Sequence, residues 1–190
     1  MLVLVISIAL LLALLIYLVV IYNLLVSLKN NVARNWSNID VLLKQRYNEL
    51  PKLIDTCKEY MEYERQTLEK IVQARKTALS ATEEHNLKAL SIAETSLKSG
   101  LSQLFALAEN YPDLKANQSF QRLQTRISDL ENDIADRREL YNDIVTRNNI
   151  RIQQFPDIII AKLFSFKKFE PLKFNEDTQD LTIEQGFENH

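Results

Sequence analysis

Glycine occurs twice in the 190 residues, proline four times, cysteine once and histidine twice. Each scarcity removes a class of protein. Two isolated glycines, Gly100 and Gly186, cannot build a phosphate-cradling loop or a nucleophile elbow. Cys57 stands alone, and with only His85 and His190 beside it no zinc ligand set can be assembled. Neither histidine lies three residues after a glutamate, so the Glu-x-x-His units of a di-iron bundle are missing. Adjacent carboxylates such as Glu83 with Glu84, or Glu176 with Asp177, are ordinary on solvated surfaces. No catalytic residue, cofactor, metal site or small-molecule substrate is expected. A formal net charge of −2 offers no basic face for nucleic acid.

Charge is missing over one stretch as well. No charged side chain precedes Lys29, and Leu2 to Ile21 is almost wholly apolar. About 20 such residues in a helix cross a hydrocarbon core of roughly 30 Å. A cleaved secretory signal fits worse. It would need a positive residue before the run, a shorter run of roughly 7–15 residues and a small-x-small site after it. Residues 1–22 are therefore expected to form an uncleaved transmembrane signal anchor. Lys29, Arg34, Lys44 and Arg46 follow it, against Asp40 and Glu49. Positive flanks stay in the cytoplasm, which predicts the N-terminus outside and the body at the cytoplasmic face of an inner membrane.

What remains is rich in Leu, Ala, Glu, Lys and Arg with few breakers, so long helices are predicted. The first continues the span to about Leu50 and the second runs from Pro51 to about Ala81. The third follows Thr82, a candidate N-cap with Glu83 and Glu84 in the first turn, and ends at Asn110. The fourth starts at Asn117 or Ser119 and runs to Gln154, before Pro156. A proline within a helix costs about 3 kcal/mol, whereas in a first turn it costs little. A helix unbroken at Pro51 would also outrun its partners. The expected fold is all-α: an N-terminal transmembrane helix followed by an elongated antiparallel four-helix bundle.

Apolar residues recur three and four apart, as in a bundle or coiled coil. The seams run through Ile54, Cys57, Met61, Glu64, Leu68, Ile71, Arg75 and Ala78, then Leu87, Leu90, Glu94, Leu97, Leu101, Leu104 and Ala108. The last passes through Phe120, Leu123, Ile127, Leu130, Ile134, Arg137, Tyr141, Ile144, Asn148, Arg151 and Phe155. Cys57 on a seam is a packing residue. The polar members pose a question, because buried ions are costly unless paired. Arg46, Glu64, Arg75, Arg137 and Asn148 form either a register-setting network or the wet, snorkelling ends of the bundle. Trp36, Ile39 and Tyr47 are candidate anchors, packing at the bundle base or serving as a contact surface near the membrane.

A four-helix path returns the chain to the membrane at KLFSFKKFEPLKF, residues 162–174. Phenylalanines with lysines suit an anionic interface, so Lys162, Phe164, Phe166, Lys167, Lys168 and Phe169 are candidate membrane contacts. A strap across the bundle base is the other reading. From Asn175 the chain is acidic and aperiodic, hence expected to be disordered, with Leu181, Ile183 and Phe187 available as a docking peptide.

WSNID at 36–40 and LLKQRYNELPKLIDT at 42–56 resemble the opening signature of the bacterial LemA family. TLE at 67–69, AENYPDLKANQSF at 108–120, LENDIA at 130–135, YN at 141–142 and FP at 155–156 extend the resemblance over about residues 22–166. Gln45, Glu59, Tyr63 and Arg137 depart from the family pattern. The resemblance implies a single-span membrane protein with a cytoplasmic helical bundle and no enzymatic activity. The expected organisation is an anchor (1–22), a LemA-like bundle (23–166) and a basic-aromatic strap with acidic tail (167–190). The expected function is a non-enzymatic membrane-anchored scaffold whose partners are the bilayer and further copies of itself. The alternative is an adaptor or regulatory subunit bound to an unknown membrane enzyme such as a protease or transporter.

Overall fold

The computed structural model describes residues 1–174; the expected disordered tail and its Leu181, Ile183 and Phe187 lie outside the described residues. Among the described residues six helices follow in order: α1 (Leu2–Lys58), α2 (Arg65–Glu83), α3 (Leu87–Ala108), α4 (Pro112–Ala116), α5 (Gln118–Arg151) and α6 (Asp157–Leu163). Among the described residues there is no strand. The chain is an all-α helical bundle with a long apolar N-terminal helix. It divides into two compact units, one of Met1–Ser37 with Glu139–Pro171, the other of Asn38–Arg138 with residues 172–174.

In the second unit, four helical stretches enclose one core. Residues 38–58 of α1 bury Ile39, Leu43, Tyr47, Leu50, Leu53, Ile54 and Cys57. Leu68, Ile71 and Ala78 of α2, Leu90, Leu97, Leu101 and Leu104 of α3, and Phe120, Ile127, Leu130 and Ile134 of α5 complete it. These are largely the heptad positions, so the seams do face the core. At Gly100 a Cβ would meet Ile71 Cγ1 at 3.0 Å, and the glycine lets α3 approach α2 closely. Burial pushes the Cys57 thiol up to about 12, which keeps it protonated and unreactive.

Two expected boundaries are corrected. The first helix does not end at Leu50: α1 passes through Pro51 and stops at Lys58, and residues 59–64 make the reversal. Thr82 does not cap α3. Its Oγ1 donates back to the Ala78 carbonyl at 2.8 Å inside α2. Helix α2 closes after Glu83 with His85 at φ 54°, while the His85 and Asn86 amides return to the Thr82 and Ala81 carbonyls, a left-handed C-terminal closure. Asn86 is the N-cap of α3, accepting from the Ala89 amide at 3.0 Å. Of the two caps expected for the last long helix, Asn117 and Ser119, Asn117 serves: its Oδ1 accepts from the Ser119 and Phe120 amides at 2.8 and 3.1 Å.

In the first unit the environment of α1 changes within one turn. Leu2 is 75% exposed and Val20 57%, with the large apolar residues between them mostly as open, whereas Ile21 is 3% and Leu25 0% exposed. Ile21 and Leu25 join Ile152, Ile160 and Ala161 in a small core, with Leu18 and Phe166 packed against it. Farther along α1, Trp36 is half-buried and its ring lies 5.8 Å from that of Tyr141.

Candidate functional site

The second unit has charge at its centre. Arg46 is 3% exposed and Glu94 of α3 is 2% exposed, and the Arg46 guanidinium donates to Glu94 Oε2. The other carboxylate oxygen, Oε1, accepts from Tyr47 Oη at 2.6 Å. Glu131 of α5 stands 3.8 Å from Arg46 Nη1, so α1, α3 and α5 each contribute a charge. Burial opposes the Arg46 charge, but Glu94, with Tyr47 and Glu131, offsets it and the guanidinium pKa is raised above its ordinary value. Burial and then the Glu94 carboxylate push the Tyr47 phenol upward as well, so Tyr47 stays a neutral donor. The cavity beside the pair is about 60 Å³, far below the roughly 300–1,000 Å³ of ligand pockets.

The same residue explains how α1 survives Pro51. Proline lacks the N–H that would bond the carbonyl four residues back, which is that of Tyr47. Arg75 of α2 supplies the missing donor, its Nε reaching the Tyr47 oxygen at 2.6 Å. The cost that argued for a break is thus partly offset by a side chain from another helix. Residues 46, 47 and 75 therefore act around one turn of α1, with its interior face tied to α3 and its freed carbonyl tied to α2.

The other sequence candidates stand elsewhere. Glu64 is half-buried at the N-cap of α2, its carbonyl accepting from the Thr67 and Leu68 amides. Arg137 is exposed: beyond Ile134 the buried positions of α5 continue at Tyr141, Val145 and Asn148, and 137 falls off that face. Asn148 is buried in the first unit, with its Nδ2 3.4 Å from Asn149 Oδ1. Glu94 was visible on its seam as a charge between leucines, but its partner was not, because pairing with Arg46 spans 48 residues.

Residues 162–171 of the strap belong to the first unit. After α6, Ser165 takes φ 56° and the Phe166 amide returns to the Ala161 carbonyl at 2.9 Å. Asn149 grips the Phe169 backbone twice, Nδ2 donating to its carbonyl at 2.8 Å and Oδ1 accepting from its amide at 3.0 Å. Tyr141 Oη donates to the Glu170 carbonyl at 3.2 Å. The Tyr22 ring meets Phe164 at 4.7 Å and Phe166 at 6.1 Å between centroids. Lys162, Lys167 and Lys168 are exposed, as is Phe164, while Phe166 and Phe169 are half-buried. Asn149 and Tyr22 carried no sequence signal for this role, since a side-chain grip on a distant backbone leaves no periodic pattern.

These features define a class: a membrane-associated helical protein with an uncovered apolar helix end and a polar-centred bundle. The family follows. The model of the LemA family matches residues 35–184, and the chain belongs to that family. Protein LemA of Metamycoplasma hominis is 29% identical over 163 residues, 80% of this chain and 72% of that protein. Magnetosome proteins MamQ 1 and MamQ 2 of Paramagnetospirillum magneticum are each 32% identical over 83 residues, 44% of this chain. That match spans only 30% of the length of the MamQ proteins.

Proposed function

We propose that this protein is a non-enzymatic scaffold anchored in a bacterial inner membrane by the start of α1, with its helical bundle at the cytoplasmic face. The observation that carries the reading is the uncovered apolar stretch from Leu2 to Val20, lying in the same helix that supplies core residues to the bundle. Apolar side chains bare of protein over nearly the whole helix surface need lipid around them. Orientation rests on Lys29 and Arg34. Arg46 counts for less than its position implies, since Glu94 neutralises it, and Lys44 pairs with Asp40 at 2.6 Å. The exposed lysines of the strap add positive charge suited to an anionic leaflet.

A scaffold without chemistry fits an Arg46 already paired with Glu94 and a protonated Cys57. The test is the mass of the full-length protein in lipid nanodiscs beside a chain starting at Tyr22. A defined oligomer is expected, and its loss on truncation would place the contacts in the apolar stretch. Monomers in both forms would overturn self-assembly in favour of an adaptor for a membrane enzyme, to be sought by crosslinking from Trp36.

A further inference from the structure

We infer that the cleft between residues 22–30 of α1 and the strap at 164–169 binds the phosphate headgroup of an anionic phospholipid. The inference rests on the reading that α1 crosses a membrane. The cleft measures about 550 Å³, within the range of small-ligand sites. One wall is aromatic and apolar, from Tyr22, Val26, Phe164 and Phe166, and the cations are Lys29 and Lys167. Among the described residues that line it there is no Asp or Glu, so nothing in the cleft neutralises those lysines. An apolar wall suits glycerol and the first methylenes of an acyl chain, and two ammonium groups suit the phosphate.

Position argues for a lipid over a free anion. Tyr22 is two residues beyond Val20, where the uncovered apolar stretch ends, so the cleft opens at the depth of the headgroups if that stretch fills the hydrocarbon. The cleft is also built rather than loose. Phe166 packs on the Ile21–Leu25 core, the α6 terminus sets Ser165 and Phe166, and Asn149 holds Phe169 by two hydrogen bonds. A preformed site loses little ordering entropy on binding, which separates selective headgroup capture from a diffuse attraction of lysines to a charged surface.

The test is native mass spectrometry of the full chain released from nanodiscs of phosphatidylglycerol and phosphatidylcholine in equal amounts. Retained lipid should be enriched in phosphatidylglycerol. That enrichment should fall about fivefold for each of Lys29→Gln and Lys167→Gln, the effect of one basic residue at an anionic surface. Both side chains are exposed, so the fold should survive, and Lys→Arg at either position should retain the enrichment. A wild-type ratio equal to the bulk, or a ratio unchanged in the double variant, would overturn the site. Displacement of bound phosphatidylglycerol by excess inorganic phosphate would assign the cleft to a free anion and overturn the lipid. Extraction of the protein from vesicles by alkaline carbonate would instead bring down the membrane reading itself, and the site with it.

Discussion

The two ends of α1 reverse the usual arrangement of side chains. From Leu2 to Val20 leucines, isoleucines and valines, all but Leu18, face outward uncovered, whereas from Ile39 to Cys57 an arginine lies among the buried residues at 3% exposure. The backbone is one helix throughout. What differs is the pattern: the first end is apolar on every face, and the second only at every third or fourth position. An all-apolar surface is stable only where its surroundings are apolar. A one-sided stripe builds a core with neighbouring helices, and any charge on that stripe must bring its counter-charge with it. Polar groups therefore serve different ends in the two units. In the second an ion pair sits inside the core, while in the first, beside the buried Asn148 and Asp157, Asn149 and Tyr141 tie down a strap.

The severest way to break that contrast is Glu94→Leu. It leaves Arg46 buried without its main counter-charge, and a loss of about 3–5 kcal/mol in denaturant unfolding is expected. Pairing it with Arg46→Met should recover most of the loss, since a well-packed apolar pair replaces an ion pair at little cost. A double variant as unstable as the single one would show that the pair is not the linchpin of this core.

A smaller effect tests how α1 passes Pro51. Arg75→Leu removes the donor from the Tyr47 carbonyl and should cost about 1–3 kcal/mol, the cost of an unsatisfied buried group. In a Pro51→Ala background the helix supplies its own N–H to that carbonyl. The same Arg75 substitution should then cost less than half as much. Equal costs in both backgrounds would mean that Arg75 stabilises by packing alone.

Asn149→Ala sharpens the comparison from the other unit, with the smallest expected change. It removes two hydrogen bonds from the strap and should lower global stability by about 1 kcal/mol or less. Hydrogen exchange at the Phe169 amide should quicken while α2 and α3 amides stay protected. Slowed or unchanged exchange at Phe169 would show that the strap is held by its aromatic packing instead.

Much of this architecture is legible from the chain alone, because it depends on near neighbours. The apolar run, the scarcity of breakers and the three-four spacing of Leu90, Leu97, Leu101 and Leu104 are properties of consecutive residues. Together they specify helices with one buried face. The Asn117 cap is legible for the same reason, as its partners are two and three residues away. The misplacement at Thr82 is local too: a threonine followed by glutamates reads as a helix start, but its hydroxyl satisfies a carbonyl behind it instead.

Tertiary structure decided what depends on distant partners. Whether α1 ends at Pro51 is a question of who donates to Tyr47, and the donor lies 28 residues away in α2. Whether Arg46 is a surface charge or a core one depends on Glu94, 48 residues on. Sequence by itself determined that there would be helices, an apolar end and polar residues on the seams. Which of those polar residues meet, and therefore which can be buried, was settled by the packing of α1 against α2, α3 and α5, because a buried charge is stable only beside a partner that folding brings to it.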